Sequence, residues 1–186
     1  MLGACYVRVF RNVPLIVQMF LWFFVFPEVV PKAFGYFLKR QMPFPEFSMG
    51  LLCLSLYTAS RIAETVRSGL ETAGNGPKNA ALASGMSYYK TYRYVLLPMS
   101  FRLIVPPLTS EFLAIFKNSS VALAIGVMEL TAQSHQIESF TFQGFEAFTA
   151  ATVLYAFISW MCLGFAGLFN RYLSNAGGLG AEVAIK

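Results

Sequence analysis

The chain has 186 residues and a formal net charge of +5, from 14 Lys and Arg against 9 acidic residues that are all Glu. It is 56% hydrophobic and 16% aromatic but only 12% charged, with a mean hydropathy of +0.57, whereas soluble domains carry about 25% charged residues. A soluble protein of this size has no way to hide so much apolar surface, so the composition points to an integral membrane protein.

The amino terminus places Arg8 and Arg11 ahead of an apolar run. A signal peptide starts similarly, but no small-residue cleavage site follows Val25, so the segment reads as a retained helix. A first span is predicted from about Val13 to about Val30, with Pro14 in its first turn and Pro27 and Pro31 at its far end. Residues 32–46 form a polar and aromatic connection. A second span starts near Phe47 and is free of charge to Ser60; Arg61, Glu64 and Arg67 then follow at intervals of three, with Glu64 and Arg67 expected to pair. Gly74, Asn75, Gly76 and Pro77 predict a break over residues 71–78, with Pro77 beginning the next helix. Residues 79–94 predict two short helices around Gly85. A third span is expected from Arg102 to about Val127, carrying Pro106, Pro107, Glu111 and Lys117. Residues 129–146 read as a polar connection holding the lone His135, and a fourth span runs from about Phe148 to Phe169, ahead of a Gly-rich tail from Asn170.

With the loop between spans two and three on the cytoplasmic side, Arg8, Arg11, Arg67, Lys78, Lys90, Arg93, Arg102, Arg171 and Lys186 all face the cytoplasm. Lys32, Lys39 and Arg40 face outside, while Arg61 and Lys117 lie at membrane depth. This positive-inside bias puts both termini in the cytoplasm, and it explains the basic excess without nucleic acid. Cys5, Cys53 and Cys162 are scattered through apolar stretches and read as packing residues, with neither zinc spacing nor a disulfide framework.

The loop between spans two and three reads Asn79-Ala80-Ala81-Leu82-Ala83-Ser84-Gly85, then nine residues, then Val95-Leu96-Leu97-Pro98. This resembles the signature loop of binding-protein-dependent ABC import permeases: Glu-Ala-Ala, three residues, Gly, nine residues, Ile, one residue, Leu-Pro. The spacing matches, with Asn79 standing for Glu and Val95 for Ile. Small residues permit close approach of another protein, Gly85 permits a sharp reversal, and Ser87 is placed to cap the second helix. The segment from Tyr6 to Pro14 resembles the entry of the polar amino-acid branch, with Arg8 replacing Glu. Pro106-Pro107-Leu108, Lys117-Asn118-Ser119-Ser120 and Ile125-Gly126-Val127-Met128-Glu129-Leu130 continue the likeness. Two stretches, 92–98 and 105–111, resemble glutamate/aspartate permeases most.

The resemblance implies an all-α membrane protein of the MetI-like ABC permease fold. Residues 1–173 would form four transmembrane helices, the first of the usual five being missing, and residues 174–186 a flexible cytoplasmic tail. It implies a bacterial inner-membrane subunit that imports glutamate or aspartate by alternating access. Its partners would be ABC ATPase subunits, a second permease chain (a copy or a sister) and a periplasmic or extracellular binding protein. The coupling loop, with Asn79, Ala80, Ala81, Gly85, Leu97 and Pro98, would dock on the ATPase. Residues 74–78 do not form a phosphate loop, so no cofactor is expected on this chain, and ATP and Mg²⁺ belong to the ATPase.

Charges at membrane depth are functional candidates by default. Arg61, Lys117, Glu111, Asn118 and Ser119 are therefore candidates for the substrate pathway, as cationic and hydrogen-bonding groups for a carboxylate. The competing structural reading pairs Arg61 with a Glu or lets it reach toward the membrane interface, and pairs Lys117 with Glu111 or a backbone carbonyl. Other functions compatible with the sequence are import of another polar amino acid and a truncated, non-transporting assembly partner. A membrane-embedded enzyme would need a catalytic constellation, and none is visible.

Overall fold

A computed structural model describes residues 2–176, with side chains to residue 168. Among the described residues the chain is wholly helical. Helix α1 is Leu2–Asn12 and α2 is Leu15–Val29, joined through a 109° corner. Pro14 makes that corner. It has no N–H to offer the carbonyl four residues back, that of Phe10. Buried Gln18 takes over: its Nε2 donates to the carbonyls of Phe10 and Val13, both at 2.8 Å.

Helix α3 spans residues 32–41, α4 is Pro45–Ala73, and α5 is Asn75–Ala83. Helix α6 runs unbroken from Tyr88 to Ile125, closing in a 3₁₀ turn; α7 is Leu130–Thr141, and α8 is Gly144–Ala176. Two helices, Tyr88–Ile125 and the Gly144–Leu168 part of α8, are long and apolar enough to cross a membrane, and the bent pair α1–α2 makes up to a third. Helix α4 has the length, with 29 residues, but carries Arg61 and Glu64 in its middle.

Several expectations change. The predicted break at 71–78 shrinks to Gly74 (φ +76°), because α4 continues to Ala73 and α5 already starts at Asn75, with Pro77 inside its first turn. The missing Pro77 N–H costs nothing there, since the first four N–H groups of a helix have no intrahelical acceptor. The third span starts at Tyr88 rather than Arg102. A π-turn, Tyr92–Leu96, ends two residues before Pro98 and sends the Leu97 N–H to the Tyr92 carbonyl. The wide turn carries the helix past the proline instead of ending it. The same device precedes Pro27, in Leu21–Val25, so Pro27 lies inside α2 rather than closing it. The polar connection after Glu129 contains a 12-residue helix, α7. Glu129 caps it by accepting from the Thr131 and Ala132 N–H groups at 2.9 and 2.7 Å, and receives the Tyr155 hydroxyl of α8 at 2.7 Å. The fourth helix extends to Ala176; the remainder of the predicted tail, residues 177–186, lies outside the described residues.

The core gathers Leu15, Met19, Cys53, Ala122 and Ile125, with Trp22, Phe23 and Tyr57 packed around it. Of the three cysteines expected to pack, Cys53 is buried, Cys162 is half-buried and Cys5 is exposed on this single chain. Helices α4 and α6 run antiparallel, crossing closely at Gly69, where a Cβ would lie 2.2 Å from Ile104 Cγ1. Helix α8 leaves Phe157, Trp160 and Phe165 mostly exposed on this single chain.

Candidate functional site: a polar seam and a capped loop

Arg61, Thr65, Ser68 and Thr72 recur at spacings of four, three and four along α4, which puts them on one face. Leu103, Pro107 and Glu111 face them from α6, and Arg11 closes the end from α1. Together with Glu64 and Gly69 these residues line a cavity of about 410 Å³. Arg61 crosses it in a bidentate pair: its Nε donates to Glu111 Oε2 at 2.6 Å and its Nη2 to Oε1 at 2.8 Å. The Glu111 side chain is 13% exposed and that of Arg61 39%, so the carboxylate is mostly enclosed while the guanidinium keeps an open edge. Tyr57 lies against Arg61, 6.0 Å from ring centroid to Cζ. Farther along, Glu64 binds Arg11 at 3.0 Å and Arg67 at 2.7 Å, and Arg67 also reaches Glu71 at 2.9 Å. The expected Glu64–Arg67 pair is therefore present, within a wider network.

Of the two partners expected for Lys117, the carboxylate is taken. Glu111 pairs with Arg61 instead, and Lys117 is exposed, with no ion pair among the described residues. Six residues along a helix turn the side chain by about 240°, so Glu111 and Lys117 leave α6 in different directions. Asn118 and Ser119 are partly buried beside Lys117 at the end of α6, away from the cavity lining, and the Ser119 hydroxyl donates to the Phe116 carbonyl at 2.7 Å. The pathway candidates thus separate into Arg61 with Glu111, and Lys117 with Asn118 and Ser119. Thr65, Ser68 and Thr72 escape sequence reasoning, although their helical spacing from Arg61 is the available signal.

The loop between α5 and α6 is built around Gly85, at φ +81°. Its N–H donates to the Leu82 carbonyl at 3.0 Å and the Met86 N–H to the Ala81 carbonyl at 3.1 Å, the paired bonds of a Schellman helix end. Ser87 then caps α6 by accepting from the Lys90 N–H. Asn79, Ala80, Ala83, Ser84 and Gly85 are exposed, as are Leu97 and Pro98. Ala81, the other residue of the expected docking set, is buried within this single chain.

A family model described as "binding-protein-dependent transport system inner membrane component" matches residues 2–175. The chain belongs to this family. Membership makes it a transport component of the inner membrane, not an enzyme. The chain is 41% identical over 183 residues to the glutamate/aspartate import permease protein GltJ of Escherichia coli strain K12, covering 97% of this chain and 74% of that one. It is 29% identical over 154 residues to the probable glutamine ABC transporter permease protein GlnM of Bacillus subtilis strain 168, covering 83% of this chain and 66% of the other. Among solved structures, a crystal structure of an amino acid ABC transporter with histidines superposes with a TM-score of 0.75 at 28% identity, over 91% of this chain and 74% of that one. In this permease, the sequence signature 79–98 coincides with the Gly85 helix end and with the entry to α6, so the recognised motif has a defined backbone geometry.

Proposed function

We propose that this permease imports amino acids, glutamate and aspartate foremost, as the membrane subunit of an ATP-driven importer. The observation that carries this reading is the 41% identity over 97% of the chain to a glutamate/aspartate import permease. In this reading α1–α2, α4, α6 and α8 supply four spans of the MetI-like arrangement, with both termini cytoplasmic. The exposed face Ala80, Ala83, Ser84 and Gly85, with Asn79, Leu97 and Pro98 nearby, docks on an ABC ATPase subunit that holds ATP and Mg²⁺. A second permease chain completes the pathway, and a soluble binding protein delivers the substrate. Arg61 and Glu111 stand on the substrate route through the α4–α6 cavity. Lys117, Asn118 and Ser119, which lie outside that cavity lining, remain a second group of candidates for the substrate route.

The test is uptake by the complete complex reconstituted in liposomes, measured against a panel of radiolabelled amino acids. Saturable, ATP-dependent uptake of glutamate and aspartate is expected. Similarity to a probable glutamine permease favours glutamine as the second reading. Uptake of glutamine with none of glutamate or aspartate would replace the first reading by that one.

A further inference from the structure

Resting on the reading of this chain as an amino-acid permease, we infer that the α4–α6 cavity recognises the zwitterionic main chain common to all α-amino acids, not the acidic side chain. Arg61 takes the α-carboxylate, and the α-ammonium lies toward Glu111 and Glu64.

Charge balance is the first argument. The cavity is lined by two cations, Arg11 and Arg61, and two anions, Glu64 and Glu111. Their formal charges cancel, so the cavity offers no net attraction to a substrate that carries an additional negative charge. Lys117, which would have tipped the balance, does not line it. A site with no net charge but strong local charges of both signs suits a ligand of the same description.

Geometry supplies the second argument. The two bonds to Glu111 use two of the five N–H donors of Arg61. Three donors remain by count, on a side chain that is 39% exposed and whose guanidinium plane Glu111 already fixes. A planar fork held in this way is organised for a carboxylate before the ligand arrives. Each Glu111 oxygen accepts one of those bonds, and an ionised carboxylate has about four lone-pair sites, so acceptor capacity remains for an ammonium group. The Thr65, Ser68 and Thr72 hydroxyls line the same α4 face, and Leu103 and Pro107 supply apolar contact opposite. These neutral groups accommodate either an acidic or an amide side chain. At about 410 Å³ the cavity lies toward the small end of the roughly 300–1,000 Å³ typical of small-molecule sites.

The experiment is equilibrium binding of radiolabelled glutamate to the permease–ATPase complex in lipid nanodiscs, without the binding protein. Competitors are aspartate, glutamine and glutarate, the last being glutamate without its α-ammonium. Aspartate and glutamine should compete within about 3-fold of glutamate, and glutarate at least ~10-fold more weakly, the discrimination expected for loss of one well-made charged contact. Arg61→Gln and Glu111→Gln should weaken glutamate and glutamine by a common factor. The double Arg61→Gln/Glu111→Gln variant, which leaves neither partner as a lone enclosed charge, should behave the same way. Glutamine binding ~10-fold or more weaker than glutamate, glutarate competing as well as glutamate, a loss in the variants confined to the acidic amino acids, or no amino-acid binding to the complex would each overturn the inference. Uptake by the intact complex with its binding protein is measured in parallel. Amino-acid uptake that persists alongside an overturning result removes only this inference, whereas its absence removes the importer reading itself.

Discussion

At the scale of single residues, two glycines matter for opposite reasons. Around Gly85 there is open space, since a Cβ added there would meet nothing within 4 Å, but its φ of +81° is left-handed. A β-branched side chain there costs about 1–2 kcal/mol, and it disfavours the Schellman end that aims α5 away from α6. Gly85→Val is expected to leave ATP hydrolysis by the assembled complex in place while uptake falls at least several-fold. Gly85→Asn, which tolerates the left-handed region, should recover most of it; paired measurements of hydrolysis and uptake check both. Normal coupling in the Val variant would remove Gly85 from the coupling role. Gly69 has an ordinary helical backbone but no room, because an added Cβ would sit 2.2 Å from Ile104 Cγ1. Gly69→Ala should destabilise the complex by about 1–3 kcal/mol through overpacking. Thermal unfolding should show a lowered midpoint that the Ile104→Ala change partly restores. An unchanged midpoint would mean that α4 and α6 separate freely at this crossing.

At the scale of elements, prolines determine where sequence reasoning succeeds and where it fails. Pro14 marks a helix start in both sequence and structure, but the 109° corner behind it depends on a partner four residues later, Gln18, which carries no recognisable signature. Gln18→Leu removes the donors to two carbonyls and should cost about 1–3 kcal/mol. Gln18→Glu, which sets an acceptor against two acceptors, should cost more. Limited proteolysis between Asn12 and Leu15 gives the readout, and equal resistance of all three proteins would show that the side chain does not hold the corner. A proline inside a helix is ordinarily a breaker, so residue types alone start the third span after Pro98, well past its true start at Tyr88. The π-turn that absorbs Pro98 is a compensation by neighbouring backbone, invisible in residue types. By contrast, the Gly85 reversal and the Ser87 cap are legible, since each follows from one residue's own chemistry at a fixed spacing. The charged pair is legible only by kind. Arg61 needs a carboxylate, yet choosing Glu111 over Glu64 requires knowing how α4 and α6 meet. The polar seam Thr65, Ser68 and Thr72 has the same pattern as a solvated helix face, and only the facing helix makes it a cavity wall.

At the scale of the whole molecule, the question with most consequence is which end of α4 meets the cytoplasm. Its 29 residues extend about 43 Å at 1.5 Å per residue, more than the roughly 30 Å hydrocarbon core of a bilayer. If α4 spans, Gln41 just ahead of it and Ser84 beyond its far end lie on opposite sides. The segment from Thr72 to Ser110 holds Lys78, Lys90, Arg93 and Arg102 and no acidic residue, whereas Lys32, Lys39 and Arg40 lie before the other end, where Lys39 is paired with Glu28. The Lys and Arg excess on the Ser84 side, four against three, predicts a cytoplasmic Ser84, the side on which the Gly85 loop would meet an ATPase. Both positions are exposed and accept a small probe residue. In a chain with Cys5, Cys53 and Cys162 replaced by Ala, Gln41→Cys is expected to react with a membrane-impermeant maleimide in intact spheroplasts. Ser84→Cys should react only in inside-out vesicles, and protection there by added ATPase subunits would tie the accessible surface to the coupling face. Labelling of both sites from one side would show that α4 does not cross the membrane. The reverse pattern would put the Gly85 loop outside the cell and end its assignment to ATP-driven coupling.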